Sequence, residues 1–215
     1  MFTFLITDIE ASTRLWDSDP VGMSQAVAAH DRVVKRSITT VGGRVFATTG
    51  DGFAAVFPSP DHAIRAAIYV QIILTDASLW PHLKVRTGIH HGPAEERDGN
   101  FFGPTVNHCG RLTEAGWGGQ ILISEKASRA VTGCVETIDL GKHLLRDLSK
   151  PMRILQVVHP RIRDDFPPIA SLRRPAHSGA EAFPVGISPY QPGSVTLPMV
   201  EAPEISTVLT SGSPR

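Results

Sequence analysis

Arg44-Val45-Phe46-Ala47-Thr48-Thr49-Gly50-Asp51-Gly52-Phe53-Ala54-Ala55-Val56-Phe57 reads as two strands, Arg44 to Thr48 and Phe53 to Phe57, meeting at a tight turn with Asp51 at its tip. The same kind of pattern lies on both sides of it. Upstream, Pro20 to Val41 carries Val27, Val33, Val34, Ile38 and Val41 near one face of a helix that Gly42-Gly43 ends. Before that helix, Phe2-Thr3-Phe4-Leu5-Ile6-Thr7 is a short apolar run rich in aromatic and β-branched residues, a buried strand. Downstream come a helix from about Asp61 to Leu74 and a strand from Lys84 to His90. The order β-α-β-β-α-β predicts an α+β fold with a ferredoxin-like core. Appended to it are a hairpin-like excursion through Gly99, a helix at Pro104 to Ala115, a strand at Gln120 to Ile123 and a short helix at Glu125 to Val131. Strands at Val135 to Leu140 and Arg153 to Val158 complete the unit.

The 215 residues carry 21 Lys and Arg against 21 Asp and Glu. That balance argues against a nucleic-acid backbone as partner, because such binding draws on an excess of cations. Cys109 and Cys134 are too few and too isolated for a disulfide framework or a cysteine-based zinc site, which fits a cytoplasmic protein. No run reaches 18 consecutive apolar residues, so no membrane-spanning helix is expected. From Arg161 to Arg215 the chain holds nine of its 17 prolines, spaced to break any helix or central strand. Residues 1–160 are therefore expected to be the folded unit, and residues 161–215 a mostly disordered, proline-rich tail.

Two carboxylates stand out by position. Asp8 ends an otherwise apolar strand, and Asp51 sits at the hairpin tip. In a β-α-β-β unit these two points can lie side by side, where hard oxygen ligands suit Mg²⁺ and hence nucleotide chemistry. The alternatives are a turn residue favoured by its glycine neighbours at 51 and a helix cap at 8.

Four segments together resemble the catalytic domain of class III nucleotide cyclases, the adenylyl and guanylyl cyclases. They are Thr7-Asp8-Ile9-Glu10-Ala11-Ser12-Thr13, Thr49-Gly50-Asp51-Gly52-Phe53, Gly88-Ile89-His90-His91-Gly92 and Gly103-Pro104-Thr105-Val106-Asn107-His108-Cys109-Gly110-Arg111-Leu112. They occur in the family order and cover about residues 3 to 159. The resemblance implies conversion of ATP, or possibly GTP, to a 3′,5′-cyclic nucleotide and pyrophosphate. It implies two Mg²⁺ or Mn²⁺ ions per site held by Asp8, the Ile9 carbonyl and Asp51. The backbone of Ile9, Glu10, Ala11, Ser12 and Thr13 would lie against the phosphates. Asn107 and Arg111, four apart on one helical face, match the pair that orients the ribose and stabilises transition-state charge. Arg146 falls where the family usually has a phosphate-binding Lys. Because the family's site is built between two protomers, a homodimer is expected.

The sequence departs from the family pattern at three places. Ala47 stands at the position of a purine-reading Lys, and Asn100 at that of a purine-reading Asp. Ala11 stands where most members have Gly, which matters if the backbone there needs a positive φ. These departures predict weak activity and keep open a degenerate cyclase domain acting as a nucleotide-sensing or dimerising regulatory module. Arg163 to Leu172 resembles the linker that leads from a cyclase domain into further domains in multidomain bacterial regulators. Another two-metal nucleotidyl transferase is disfavoured by the Asn107/Arg111 match. His90 and His91, neighbours on a strand, must face opposite ways and are expected to be structural, as are Trp16, Trp80, Trp117 and Cys109.

Overall fold

The computed structural model describes residues 1–48, 50–75, 83–169 and the backbone of the pair 188–189. The first half contains β1 (Phe2–Ile9), α1 (Ser12–Ser18), α2 (Pro20–Thr40), β2 (Arg44–Thr48), β3 (Phe53–Phe57), α3 (Pro60–Leu74) and β4 (Val85–Gly92). Then follow β5 (Glu95–Arg97), β6 (Asn100–Phe102), α4 (Pro104–Ala115), β7 (Ile121–Ser124), α5 (Glu125–Ser128), β8 (Thr137–His143) and β9 (Met152–Val157), with a two-residue edge strand β10 (Ser188–Pro189).

The main sheet runs β10-β2-β3-β1-β4-β7-β9-β8. Its segment β2-β3-β1-β4 is antiparallel at every step, the ferredoxin-like arrangement expected from the element order. β7 joins parallel to β4, and β9 and β8 extend the sheet antiparallel. The central strand β1 is apolar because both of its faces are covered. Leu5 and Ile9 join Val34, Ile38, Phe53, Ile64, Val70 and Ile89 under α2 and α3. Phe4 points the other way, into a cluster with Phe46, Ala47, Phe101, Val106 and Cys109 under α4. Each such fully buried Phe, Leu or Ile contributes about 1.5–3 kcal/mol.

The ends of α2 are set by local chemistry. The Asp19 carboxylate accepts from Gly22 N–H at 2.9 Å. At the other end Gly42, at φ +75°, donates to the Thr39 carbonyl and Gly43 donates to that of Ile38. The excursion through Gly99 is a β5–β6 hairpin whose turn residues Asp98 and Gly99 both have positive φ.

Helix α4 is held unusually close to the sheet. Gly88 leaves no room for a side chain, since a Cβ there would fall 2.7 Å from the Thr113 backbone nitrogen. Cys109 Sγ donates to the carbonyls of Phe4 and Gly88, and Thr113 Oγ1 donates to that of Ile6. With Thr105, Val106, Cys109, Leu112 and Thr113 buried, Asn107, Arg111 and Glu114 are left on the outer face.

Several expected boundaries shift. α5 ends at Ser128, short of Val131, and its Ser124 cap accepts from Ala127 N–H at 3.2 Å. β8 runs on to His143 because Gly141, at φ +88°, accommodates a bulge opposite β9. The packed chain also continues past residue 160. Ile162 and Ile169 are buried, the Asp164 carbonyl accepts from Gln156 Nε2, and Trp117 Nε1 donates to the Pro167 carbonyl at 3.0 Å. Prolines that exclude helix and strand therefore still allow an extended strap along the domain. The remainder of the expected disordered tail and Trp80 lie outside the described residues, apart from the backbone of Ser188–Pro189, which pairs with the edge strand β2. Among the described residues no helix is long and apolar enough to cross a membrane.

Candidate active site

β1 and the β2–β3 turn bring Asp8 and Asp51 together. Thr7 Oγ1 accepts from Phe53 N–H at 3.0 Å, which ties the strand after the turn to the end of β1. On β4, Arg86 stands directly across from Asp8, and its guanidinium lies 2.5 Å from Asp8 Oδ2. Burial raises the Asp8 carboxyl above the usual carboxylate range. Arg86 pulls it down, while the charges of Asp51 and Glu114 push it further up. Among the described residues Asp51 Oδ2 is buried with no hydrogen-bond partner, and so is Arg86 Nε.

A buried orphan oxygen beside a second, electrostatically crowded carboxylate offers hard oxygen donors of the kind a divalent cation takes. These two residues fit Mg²⁺ or Mn²⁺. Among the described residues no group of three or more His, Cys, Asp or Glu converges. Ile9 can offer only its backbone, because its side chain is buried in the core.

The loop that follows is strained. Ala11, the N-cap residue of α1, has φ 56° and ψ 30°, the left-handed region, and makes no side-chain cap bond. The expected helix cap at Asp8 is thus not formed; its carboxylate goes to Arg86 instead. Glu10 Oε1 accepts from Gly118 N–H at 3.1 Å and fastens the loop to the β4-side turn before β7. Ser12 and Thr13 open α1 on the partly exposed side of this loop.

The outer stripe of α4 carries the second group. Asn107 is exposed, and Arg111 reaches two carboxylates, Glu114 through Nη1 at 2.8 Å and Asp147 through Nη2 at 2.8 Å. Arg146 joins the same pair, 3.0 Å from Glu114 and 3.6 Å from Asp147. Asp147 holds its place with φ +60°.

The two base-reading candidates are placed differently. Ala47 is completely buried among Phe4, Phe46, Phe101 and Cys109, so it lines no cleft. Asn100 Oδ1 accepts from Phe101 N–H at 2.9 Å, its side chain turned onto its own strand. His90 hydrogen-bonds Ser124 through Nδ1 at 2.7 Å, and burial pushes its pKa down to about 3. His91 faces the other way, to Thr3 Oγ1. Burial likewise pushes the Cys109 thiol up to about 12, an inert core residue.

A family profile described as the adenylate and guanylate cyclase catalytic domain matches residues 1–145. The chain belongs to that family. An uncharacterized protein of Mycobacterium tuberculosis is 36% identical over 195 residues, covering 88% of this chain and 64% of that protein. An adenylate cyclase of Neurospora crassa is 30% identical over 176 residues, 67% of this chain but 8% of that protein. The cyclase domain thus spans less than two thirds of the length of these curated relatives. Among solved structures, an adenylate cyclase of Trypanosoma brucei in its monomeric state superimposes with a TM-score of 0.70 at 28% identity, covering 78% of this chain and 92% of that one. An adenylate/guanylate cyclase/hydrolase from Silicibacter pomeroyi gives 0.64 at 25% identity, covering 74% and 96%.

Three residues of this cyclase domain were not singled out from sequence. Arg86 is two residues before the Gly88 motif, opposite Asp8 only once β1 and β4 are in register. Glu114 continues the Asn107/Arg111 stripe at i+3, a spacing that could have flagged it. Asp147 adjoins Arg146, but its meeting with Arg111 depends on the loop after β8.

Proposed function

We propose that this domain converts a nucleoside triphosphate, ATP or GTP, to its 3′,5′-cyclic nucleotide and pyrophosphate. The observation that carries the reading is the unpartnered, buried Asp51 oxygen beside the crowded Asp8 carboxylate. Asp8, Asp51 and the Ile9 carbonyl would hold Mg²⁺ or Mn²⁺, two per site; a bound metal supplies acidification of the 3′-hydroxyl and neutralisation of the triphosphate. Arg86 adds fixed positive charge on the same side. The 3′-hydroxyl gives its proton to water, its oxygen bonds to the α-phosphorus and the bond from that phosphorus to the leaving pyrophosphate breaks, while Asn107 and Arg111 orient the ribose and meet the charge that develops. Arg146 supplies a further phosphate-facing cation. In this reading Asp8 and Asp51 come from one protomer and Asn107 and Arg111 from the other, so the working unit is a homodimer.

Base discrimination is expected to be poor, because Ala47 is buried and Asn100 is committed to its own backbone. The same two placements favour a second reading, a nucleotide-sensing or dimerising module with little turnover. Purified protein with Mn²⁺ and either ATP or GTP, set against Asp51→Ala, separates them. Cyclic product from the parent protein and none from the variant supports the enzyme. No product above the variant, with nucleotide binding seen by calorimetry, overturns the enzyme reading in favour of the sensor.

A further inference from the structure

Glu114 is the junction of the arginine cluster. Its two carboxylate oxygens accept from Arg111 Nη1 at 2.8 and 3.0 Å, and Oε2 also accepts from Arg146 Nη2 at 3.0 Å. Asp147 closes the cluster from the other side, against Arg111 Nη2 and Arg146 Nε. Two guanidinium groups and two carboxylates cancel. The pair assigned to a highly anionic substrate therefore presents no net charge, and both terminal nitrogens of Arg111 are already occupied.

The cluster is also open to exchange. The Glu114 and Asp147 side chains are 47% and 64% exposed, so these are solvent-screened pairs that a polyphosphate can displace. Nothing about the seat of α4 requires this carboxylate. The helix is held by its buried face at Cys109 and Thr113, whereas Glu114 points outward.

Resting on the cyclase reading, we propose that Glu114, together with Asp147, is the internal counter-anion of Arg111 and Arg146. It holds both guanidiniums in position and is displaced by the polyphosphate of the substrate, so it sets the affinity of the site for nucleotide. Glu114 is thus a positioning residue whose removal strengthens binding, the opposite of what loss of a structural contact does.

Glu114→Gln keeps the shape and an acceptor while removing the charge. KM for the Mn²⁺ nucleotide should fall roughly three- to tenfold, the size expected from freeing guanidiniums from exposed ion pairs, with kcat changing less than about twofold. Binding of inorganic tripolyphosphate in metal-free buffer should tighten by a similar factor, and the gain should shrink at high salt. Asp147→Asn should act in the same direction, because Asn tolerates the left-handed backbone at that position. The gain should vanish when Arg111→Ala and Arg146→Ala are also present. Unchanged tripolyphosphate affinity in both single variants, each folded by circular dichroism, overturns the proposal. So does a tenfold or greater loss of kcat in Glu114→Gln, which would make the carboxylate a required part of the machinery. The tripolyphosphate arm needs no turnover, so a parent protein without cyclase activity refutes the enzyme reading and leaves this test standing.

Discussion

Adding one methyl group at Gly88 should separate α4 from its seat and take the site with it. In Gly88→Ala the new Cβ would meet Thr113 Oγ1 at 2.5 Å, the Thr113 backbone nitrogen at 2.7 Å and the Cys109 carbonyl at 3.0 Å. The hydroxyl cannot swing away without giving up its bonds to the Ile6 and Cys109 carbonyls. The backbone nitrogen can retreat only with the helix, and reaching ordinary contact at 3.4 Å requires a shift of about 0.7 Å. Overpacking of this kind costs about 1–3 kcal/mol. For a domain of this size each kcal/mol lowers Tm by about 2–4 °C. Because α4 carries Asn107 and Arg111, a displacement approaching 1 Å should also lower kcat by up to about 10²-fold. Gly110→Ala is the matched control. Its Cβ would meet only Ile6 Cδ1, at 3.9 Å. Helix propensity there should add about 0.5–1 kcal/mol of stability. Urea unfolding and initial rates with Mn²⁺ and ATP read both effects. If Gly88→Ala proves as stable and as active as Gly110→Ala, close approach at Gly88 does not hold the helix.

Ala11→Gly should stabilise the protein by about 1 kcal/mol in thermal melts, since a Cβ in the left-handed region is what it removes; an unchanged or lower Tm would show that the loop is unstrained. If Asp51 holds metal as proposed, Asp51→Asn should raise stability in metal-free buffer by about 1 kcal/mol, by relieving its repulsion with Asp8, and any rise in Tm that Mn²⁺ gives the parent protein should be lost. The pH dependence gives the sign. The folded pKa of Asp8 lies above its unfolded value of 3.8, so stability falls as pH rises from the ordinary carboxylate range through the raised value. Asp51→Asn removes one cause of that rise, and melts between pH 4 and 8 should show a smaller fall; an identical profile would contradict the pairing. Ending the chain at Pro160 rather than at Ile169 removes Ile162 and Ile169 from their buried sites, each worth about 1.5–3 kcal/mol, and should lower the melting temperature accordingly. Equal melting of the two truncations would mean that the strap contributes nothing.

Asp8 and Asp51 were legible as a pair because each position is fixed locally, one by the end of an apolar strand and the other by a glycine-flanked turn. The antiparallel β3–β1 pairing then has few ways to separate them. Asn107 and Arg111 were legible for a similar reason, since an i, i+4 spacing on a helix fixes a shared face whatever the helix packs against. The match of Ala47 and Asn100 to the positions of a purine-reading Lys and Asp rests on the family resemblance and has no such local support. A bulge between Val45 and Ala47 alters the alternation of β2, and Ala47 ends up in the aromatic cluster under α4. The strap from Arg161 to Ile169 is not legible in the sequence because a proline-rich stretch lacks periodicity, yet single side chains such as Ile169 can fill a gap beside Leu112 and Leu145 without any.

The sequence by itself determined the order of elements, the ferredoxin-like core and the residue types available for chemistry, because periodicity, caps and turn residues act over a few positions. Tertiary structure alone decided what those residues face. Arg86 meets Asp8 across 78 positions of chain, and Arg111 meets Asp147 across 36, through strand register and helix seating that no local pattern encodes. Those long-range meetings fix the charge of the site. Asp8 and Asp51 are left crowded, and Arg111 and Arg146 are already paired with carboxylates of the same chain.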